Sequence, residues 1–118
     1  MAEPDFLQLS SVQGKTVAAT ATTSSSAILS NASSSNKLLK VGTVVAGNRS
    51  SSEVTITVVV NKNGSDFSVA HQVSVPGNAT IVVLAKDTPI YLEENDSLKV
   101  QTNTNSQLDV VVSYEEFA

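Results

Sequence analysis

Glu53-Val54-Thr55-Ile56-Thr57-Val58-Val59-Val60-Asn61, then the turn Asn61-Lys62-Asn63-Gly64-Ser65, then Phe67 to Val75, is the stretch that decides the fold. Val54, Ile56, Val58 and Val60 fall on one side of the first segment and Thr55 and Thr57 on the other. That is the period of a half-buried strand. Phe67 to Val75 returns with the same period. Asn-Gly between them supplies the positive φ angles of a tight hairpin turn.

Outward from this hairpin the pattern continues in both directions. On the N-terminal side, strands are expected at Lys15–Thr23, at the short apolar piece Ala27-Ile28-Leu29 and at Leu38–Ala46. On the C-terminal side they are expected at Thr80–Lys86, Thr88–Leu92, Ser97–Thr102 and Leu108–Glu115. Pro76-Gly77 reads as a turn in which Pro sets φ and Gly takes φ > 0. Thr80 to Lys86 is almost continuously apolar and reads as buried on both faces. No window shows the i, i+3, i+4, i+7 spacing of a helix. Turn signals every 8–12 residues are the mark of an all-β sandwich or barrel.

The expected fold is therefore an antiparallel β-sandwich, jelly-roll or Ig-like, of about eight short strands. Residues 1–14 form an N-terminal arm and 15–118 the sandwich. The expected core draws on Val54, Ile56, Val58, Val60, Phe67, Val69, Ile81, Val83, Leu98, Val100, Leu108, Val110 and Val112.

Composition agrees. Of 118 residues, 18 are Val, 18 Ser and 11 Thr, and only 15% are charged. Val and Thr suit a pleated, half-buried surface. With no cysteine, disulfides, thiolate metal sites and cysteine nucleophiles are excluded. Net charge is −4, with Arg49 and six scattered lysines, which does not fit binding of nucleic-acid phosphates by clustered cations. The longest apolar run, Ile81 to Ala85, is far short of a membrane helix, so no membrane partner is expected. Met1-Ala2-Glu3-Pro4-Asp5-Phe6 opens with acids and no apolar signal region follows, so synthesis in a cytoplasm is expected.

Chemistry is sparse. His71 is the sole histidine. Alternation puts it on the face of Phe67, Val69, Val73 and Val75, as a packed or interface-facing residue. A lone His cannot build a zinc site without Cys or more His. No G-x-S-x-G elbow exposes a serine nucleophile. Glu93, Glu94 and Asp96 crowd one turn but lack calcium-loop spacing, and read as a solvated turn. Glu115 and Glu116 are neighbours on one strand and point to opposite faces, so they are not a facing acid pair. Five N-x-[ST] sites, at Asn31, Asn48, Asn63, Asn78 and Asn95, are explained by loops rich in turn formers. Catalytic residues, metal and cofactor are all expected to be none, and the chain is expected not to be an enzyme.

A set of motifs from Leu38 onward carries a resemblance. It comprises Leu38-Leu39-Lys40-Val41, the loop Ala46-Gly47-Asn48-Arg49-Ser50, and Val75-Pro76-Gly77-Asn78-Ala79-Thr80-Ile81-Val82-Val83-Leu84. Ile90-Tyr91-Leu92-Glu93-Glu94-Asn95-Asp96-Ser97-Leu98-Lys99-Val100 follows, and the close is Leu108-Asp109-Val110-Val111-Val112-Ser113-Tyr114-Glu115-Glu116. This order resembles small virion structural proteins of tailed bacteriophages, especially phages of marine cyanobacteria. It spans Leu38 to Glu116, about two thirds of the chain by loose pattern matching. The resemblance implies a non-enzymatic particle component, located in the virion, whose partners are copies of itself and other capsid, neck or tail proteins.

The leading expectation is a capsid decoration subunit that bridges neighbouring capsid proteins. A neck or tail adaptor, or a fibre-attachment subunit, is the alternative, and a carbohydrate-binding adhesin module is the rival class. A hydrolase would need Ser, His and Asp to converge in a cleft. Exposed aromatics converging on one concave face would favour the adhesin; an arm and apolar outer faces would favour assembly. The expected assembly contacts are Phe6, Leu7 and Leu9 of the arm, with Val59 and Val111. The last two each put a valine on the side opposite their strand's main apolar stripe.

Overall fold

The computed structural model describes residues 10–118. These contain nine strands and no helix: β1 (Val12–Thr20), β2 (Ser26–Ser30), β3 (Leu38–Asn48), β4 (Val54–Lys62), β5 (Ser65–Val75), β6 (Thr80–Leu84), β7 (Ile90–Leu92), β8 (Asp96–Thr102) and β9 (Leu108–Phe117). The first strand begins at Val12, so three residues assigned to the arm belong to the sandwich edge. It ends at Thr20, because Ala21 turns into the core.

Two antiparallel sheets face one another. One has the order β1-β9-β3-β6, with β7 also paired to β3, and the other β2-β8-β4-β5. The pairing is that of one long hairpin rolled up. β4 pairs with β5 across the Asn63-Gly64 turn, β3 with β6 and β7, β2 with β8, and β1 with β9. The roll closes by β9 on β3 and β8 on β4. Successive rungs of the hairpin alternate between sheets, which is the winding of a jelly roll. The turn has the expected chemistry: Asn63 at φ 52° and Gly64 at φ 96°.

The core lies between the sheets. Of the residues expected there, Val54, Ile56, Val58, Leu98, Val100, Leu108, Val110 and Val112 are buried, while Val60, Val69, Ile81 and Val83 pack half-buried against them. Leu39, Val41, Val44 and Ala46 of β3 join them. β3 is paired on both sides and shifts register between Val41 and Thr43, so its two halves bury residues in different phase.

Phe67 is not a core residue; it is 60% exposed. Its strand is the sheet edge and shifts register against β4 twice, between Ile56 and Val58 and again between Val58 and Val59. Gln72 sits at φ 50° in this irregular stretch. A bulge breaks the period of two, so alternation read from the sequence no longer tells inside from outside. His71 is exposed for the same reason, whereas Val73, opposite buried Ile56 and on the same side as buried Val75, is exposed because β5 is the sheet edge.

β6 is not buried on both faces either. It is a short edge strand on β3, and Val82 is 62% exposed. The Pro76 turn also works differently. Asn78, not Gly77, takes positive φ (57°). Gly77 is required because a Cβ there would lie 2.2 Å from the Ser51 carbonyl oxygen.

Candidate assembly surfaces

The outer face of the β1-β9-β3-β6 sheet carries an apolar row set by register. Ala18 lies opposite Val111, Val111 opposite Val45, and Val45 opposite Val82. The row crosses four strands. Val111, at its centre, is 38% exposed. The flanking positions are small and uncharged on one side, with Thr16 opposite Ser113 and Ser113 opposite Thr43. Ion pairs stand on either side of the row along the strand direction: Lys40 with Glu115 at 3.9 Å and Arg49 Nε with Asp109 at 2.8 Å. Asp109 also accepts the Thr20 hydroxyl at 2.8 Å. Each pair is charge-neutral, so the face carries none of the chain's acidic excess.

Val59 occupies the outer face of the other sheet, opposite Ser68 and Lys99, and is half-buried. It does not meet Val111. Phe6, Leu7 and Leu9 lie outside the described residues. Val45 and Val82 were not legible as members of a surface row. Their signal, an apolar residue out of phase with its strand's stripe, acquires meaning only once the strand order is known.

The acidic residues of the Glu93–Asp96 turn and Glu116 make these contacts. Asp96 is 3% exposed; its carboxylate accepts the Glu93 N–H at 3.0 Å and the Lys62 ammonium at 3.0 Å. Lys62 also reaches Glu93 at 2.7 Å. The hydrogen bonds that Lys62 donates to Glu93 and then to Asp96 raise its pKa above the ordinary value. Glu94 accepts the Asn36 N–H at 2.8 Å. The acidic turn thus ties the tip of the β4–β5 hairpin to the start of β8. Glu116 is partly desolvated, which opposes its charge, but Lys15 and Lys37, each at 3.3 Å, outweigh this and hold its carboxyl below the usual range.

His71 borders a groove of about 270 Å³ with Thr23, Thr55, Thr57, Gln72, Gln101, Thr102 and Asn103. Its walls are hydroxyls and amides, and these lining residues include no carboxylate to orient an imidazole and no aromatic ring on which a sugar could stack. Two of the N-x-[ST] asparagines, Asn31 and Asn48, are buried. Asn48 Nδ2 donates to the carbonyls of Ser52, Val75 and Pro76. Asn31 Nδ2 donates to those of Lys37 and Leu92. Both pin loops rather than display a modification site.

No protein-family model matches the chain, and no curated protein matches it.

Proposed function

We propose that the chain is a non-catalytic structural subunit of a tailed-phage virion that decorates the capsid surface and bridges capsid proteins. The observation that carries this reading is the Ala18–Val111–Val45–Val82 row. An apolar strip across four strands, flanked above and below by neutralised charges, suits burial against another protein. The jelly roll supports it as an architecture that recurs in capsid proteins, although the same fold serves other roles. So does the resemblance of the segment from Leu38 to Glu116 to small phage virion proteins. A neck or tail adaptor would use the same surface. The His71 groove, lacking an aromatic platform, gives the adhesin reading less support.

The test is competitive incorporation. Tagged wild-type and Val111→Asp chains are co-expressed during infection and their occupancy in purified particles is compared. Placing a carboxylate in the centre of a buried contact should lower the variant's occupancy roughly tenfold or more. Equal occupancy would mean that this face is not the contact. Absence of both chains from purified particles would sink the structural role itself. Imaging of the tag separates head from neck or tail.

A further inference from the structure

A second row crosses the outer face of the β1-β9-β3-β6 sheet beside the Ala18–Val111–Val45–Val82 row. Gly14 lies opposite Glu115, Glu115 opposite Lys40, and Lys40 opposite Tyr91 of β7, which shares the β3 edge with β6. The two rows are lopsided in the same sense. At the β1 edge they end on the small residues Ala18 and Gly14. At the other edge they end on Val82, 62% exposed, and Tyr91, 44% exposed. A shallow hollow of about 310 Å³ lies at Ala18, Thr20 and Val111, and another of about 370 Å³ at Gly14, Thr16, Thr43 and Ser113. Among the described residues nothing accounts for a glycine at 14. A Cβ there meets no heavy atom within 4 Å, and its φ lies outside the left-handed region.

We infer that a second copy of the chain covers this face, in a two-fold dimer whose axis runs along the strands between β9 and β3. The inference rests on the reading of this face as an assembly surface and names its occupant. The rotation exchanges β9 with β3, and β1 with β6 and β7, and keeps position along the strands. Val82 of each copy then seats on Ala18 of the other, and Tyr91 on Gly14. Val111 meets Val45, and Ser113 meets Thr43. Each large side chain at one edge fills a hollow at the opposite edge of the second copy, and each contact occurs twice, as an isologous interface requires.

Charge selects this rotation. Lys40 and Glu115 form one ion pair, Arg49 and Asp109 the other, and in both the base belongs to β3 or the residue after it and the acid to β9. Exchanging β9 with β3 lays Glu115 over Lys40 of the second copy. It lays Asp109 over Gly47, two residues from Arg49. Signs therefore alternate across the contact. The other face-to-face two-fold, with its axis across the strands, lays β9 on β9 and β3 on β3 in reversed direction. It sets Glu115 over Asp109 and Lys40 toward Arg49, like over like, which is unfavourable. Four strands over the span from Asp109 to Glu115 cover roughly 450 Å² per copy, about 900 Å² for the pair. That is the size of a reversible contact. The dimer leaves both β2-β8-β4-β5 sheets facing outward, so one pair can bridge two neighbours.

The test is sedimentation of the full chain, which should dimerise reversibly between micromolar and millimolar concentration. Gly14→Phe should weaken the dimer roughly tenfold or more, because its ring collides with Tyr91 of the second copy. Adding Tyr91→Ala to the same chain should recover most of that loss. Within one chain the two positions stand at opposite edges of the sheet, about 14 Å apart. Coupling between them therefore passes through the second copy. A charge exchange gives an independent readout. Glu115→Lys chains and Lys40→Glu chains each set like charges together as homodimers. Mixed, they should form a heterodimer roughly tenfold or more tighter than either homodimer. Circular dichroism follows folding, and if Gly14→Phe unfolds the chain the charge exchange decides. A wild-type chain that is monomeric at millimolar concentration, additive losses from Gly14→Phe and Tyr91→Ala, or no preference for the mixed dimer would each overturn the inference. The virion reading fails separately: a chain that dimerises as described but is absent from purified particles sinks that reading alone.

Discussion

Lys62 holds its ammonium 3.0 Å from the carboxylate of Asp96, and the two sit opposite each other across β4 and β8. One partner is half in water and the other is sealed. The pair is therefore unequal. Asp96→Ala also strands the Glu93 N–H and should cost about 1–3 kcal/mol. Lys62→Met leaves a carboxylate that still accepts the Glu93 N–H, and should cost no more than about 1 kcal/mol given the exposure of the lysine. The pKa of Lys62 is raised in the fold, so its contribution is present below the ordinary lysine value and is lost as pH climbs through the raised one. Urea unfolding of both variants at neutral pH, and of wild type above pH 10, checks the order and the sign.

Glu116 supplies the acid-side counterpart. Its folded pKa lies below its unfolded value, so the unfolded chain binds more protons as pH falls through that interval. Its stabilisation is complete above the ordinary carboxylate range and is lost as pH drops through the depressed value. Glu116→Gln should be less stable than wild type at pH 7, with the difference shrinking toward pH 3. A constant difference across that range would show that charge is not the cause.

Asn48→Ala should be among the most damaging substitutions of a polar residue. The side chain is buried, donates to three carbonyls, and accepts the N–H and hydroxyl of Ser50 through Oδ1. A loss of about 2–3 kcal/mol is expected, since the loop's polar groups are left without partners. Denaturant midpoints give the value.

Thr102→Val should do the reverse. Thr102 is 4% exposed and its Oγ1 has no hydrogen-bond partner among the described residues. Replacing a buried, unsatisfied hydroxyl with a methyl of similar volume should stabilise the chain by about 1 kcal/mol. A fall in the urea midpoint would show that the hydroxyl is satisfied in solution.

Gly77→Ala should destabilise by about 1–3 kcal/mol, because its Cβ would collide with the Ser51 backbone rather than with a side chain that can swing away. Ser51→Ala should not rescue it, since the clash is with a carbonyl that alanine keeps. Rescue would place the strain elsewhere.

The sequence by itself determined the class of fold and the position of most strands. Period-two runs such as Val54–Val60 and Leu108–Val112, and turn chemistry such as Asn63-Gly64, are local properties. A strand's phase and a turn's φ angles are set by neighbouring residues. What only the tertiary structure decided was which apolar residues are covered. Phe67, Val82 and Val111 belong to strands as apolar as the buried ones. Their exposure follows from β5 and β6 being edges and from β9 having no layer outside it among the described residues. The same holds for Asn31 and Asn48, which read as loop residues until the roll brings carbonyls from strands and loops distant in sequence onto their amides. The candidate assembly face was legible only in part, as Val111. Its extension through Val45 to Val82 depends on β3 lying between β9 and β6, and that order is set by long-range pairing that no local pattern encodes.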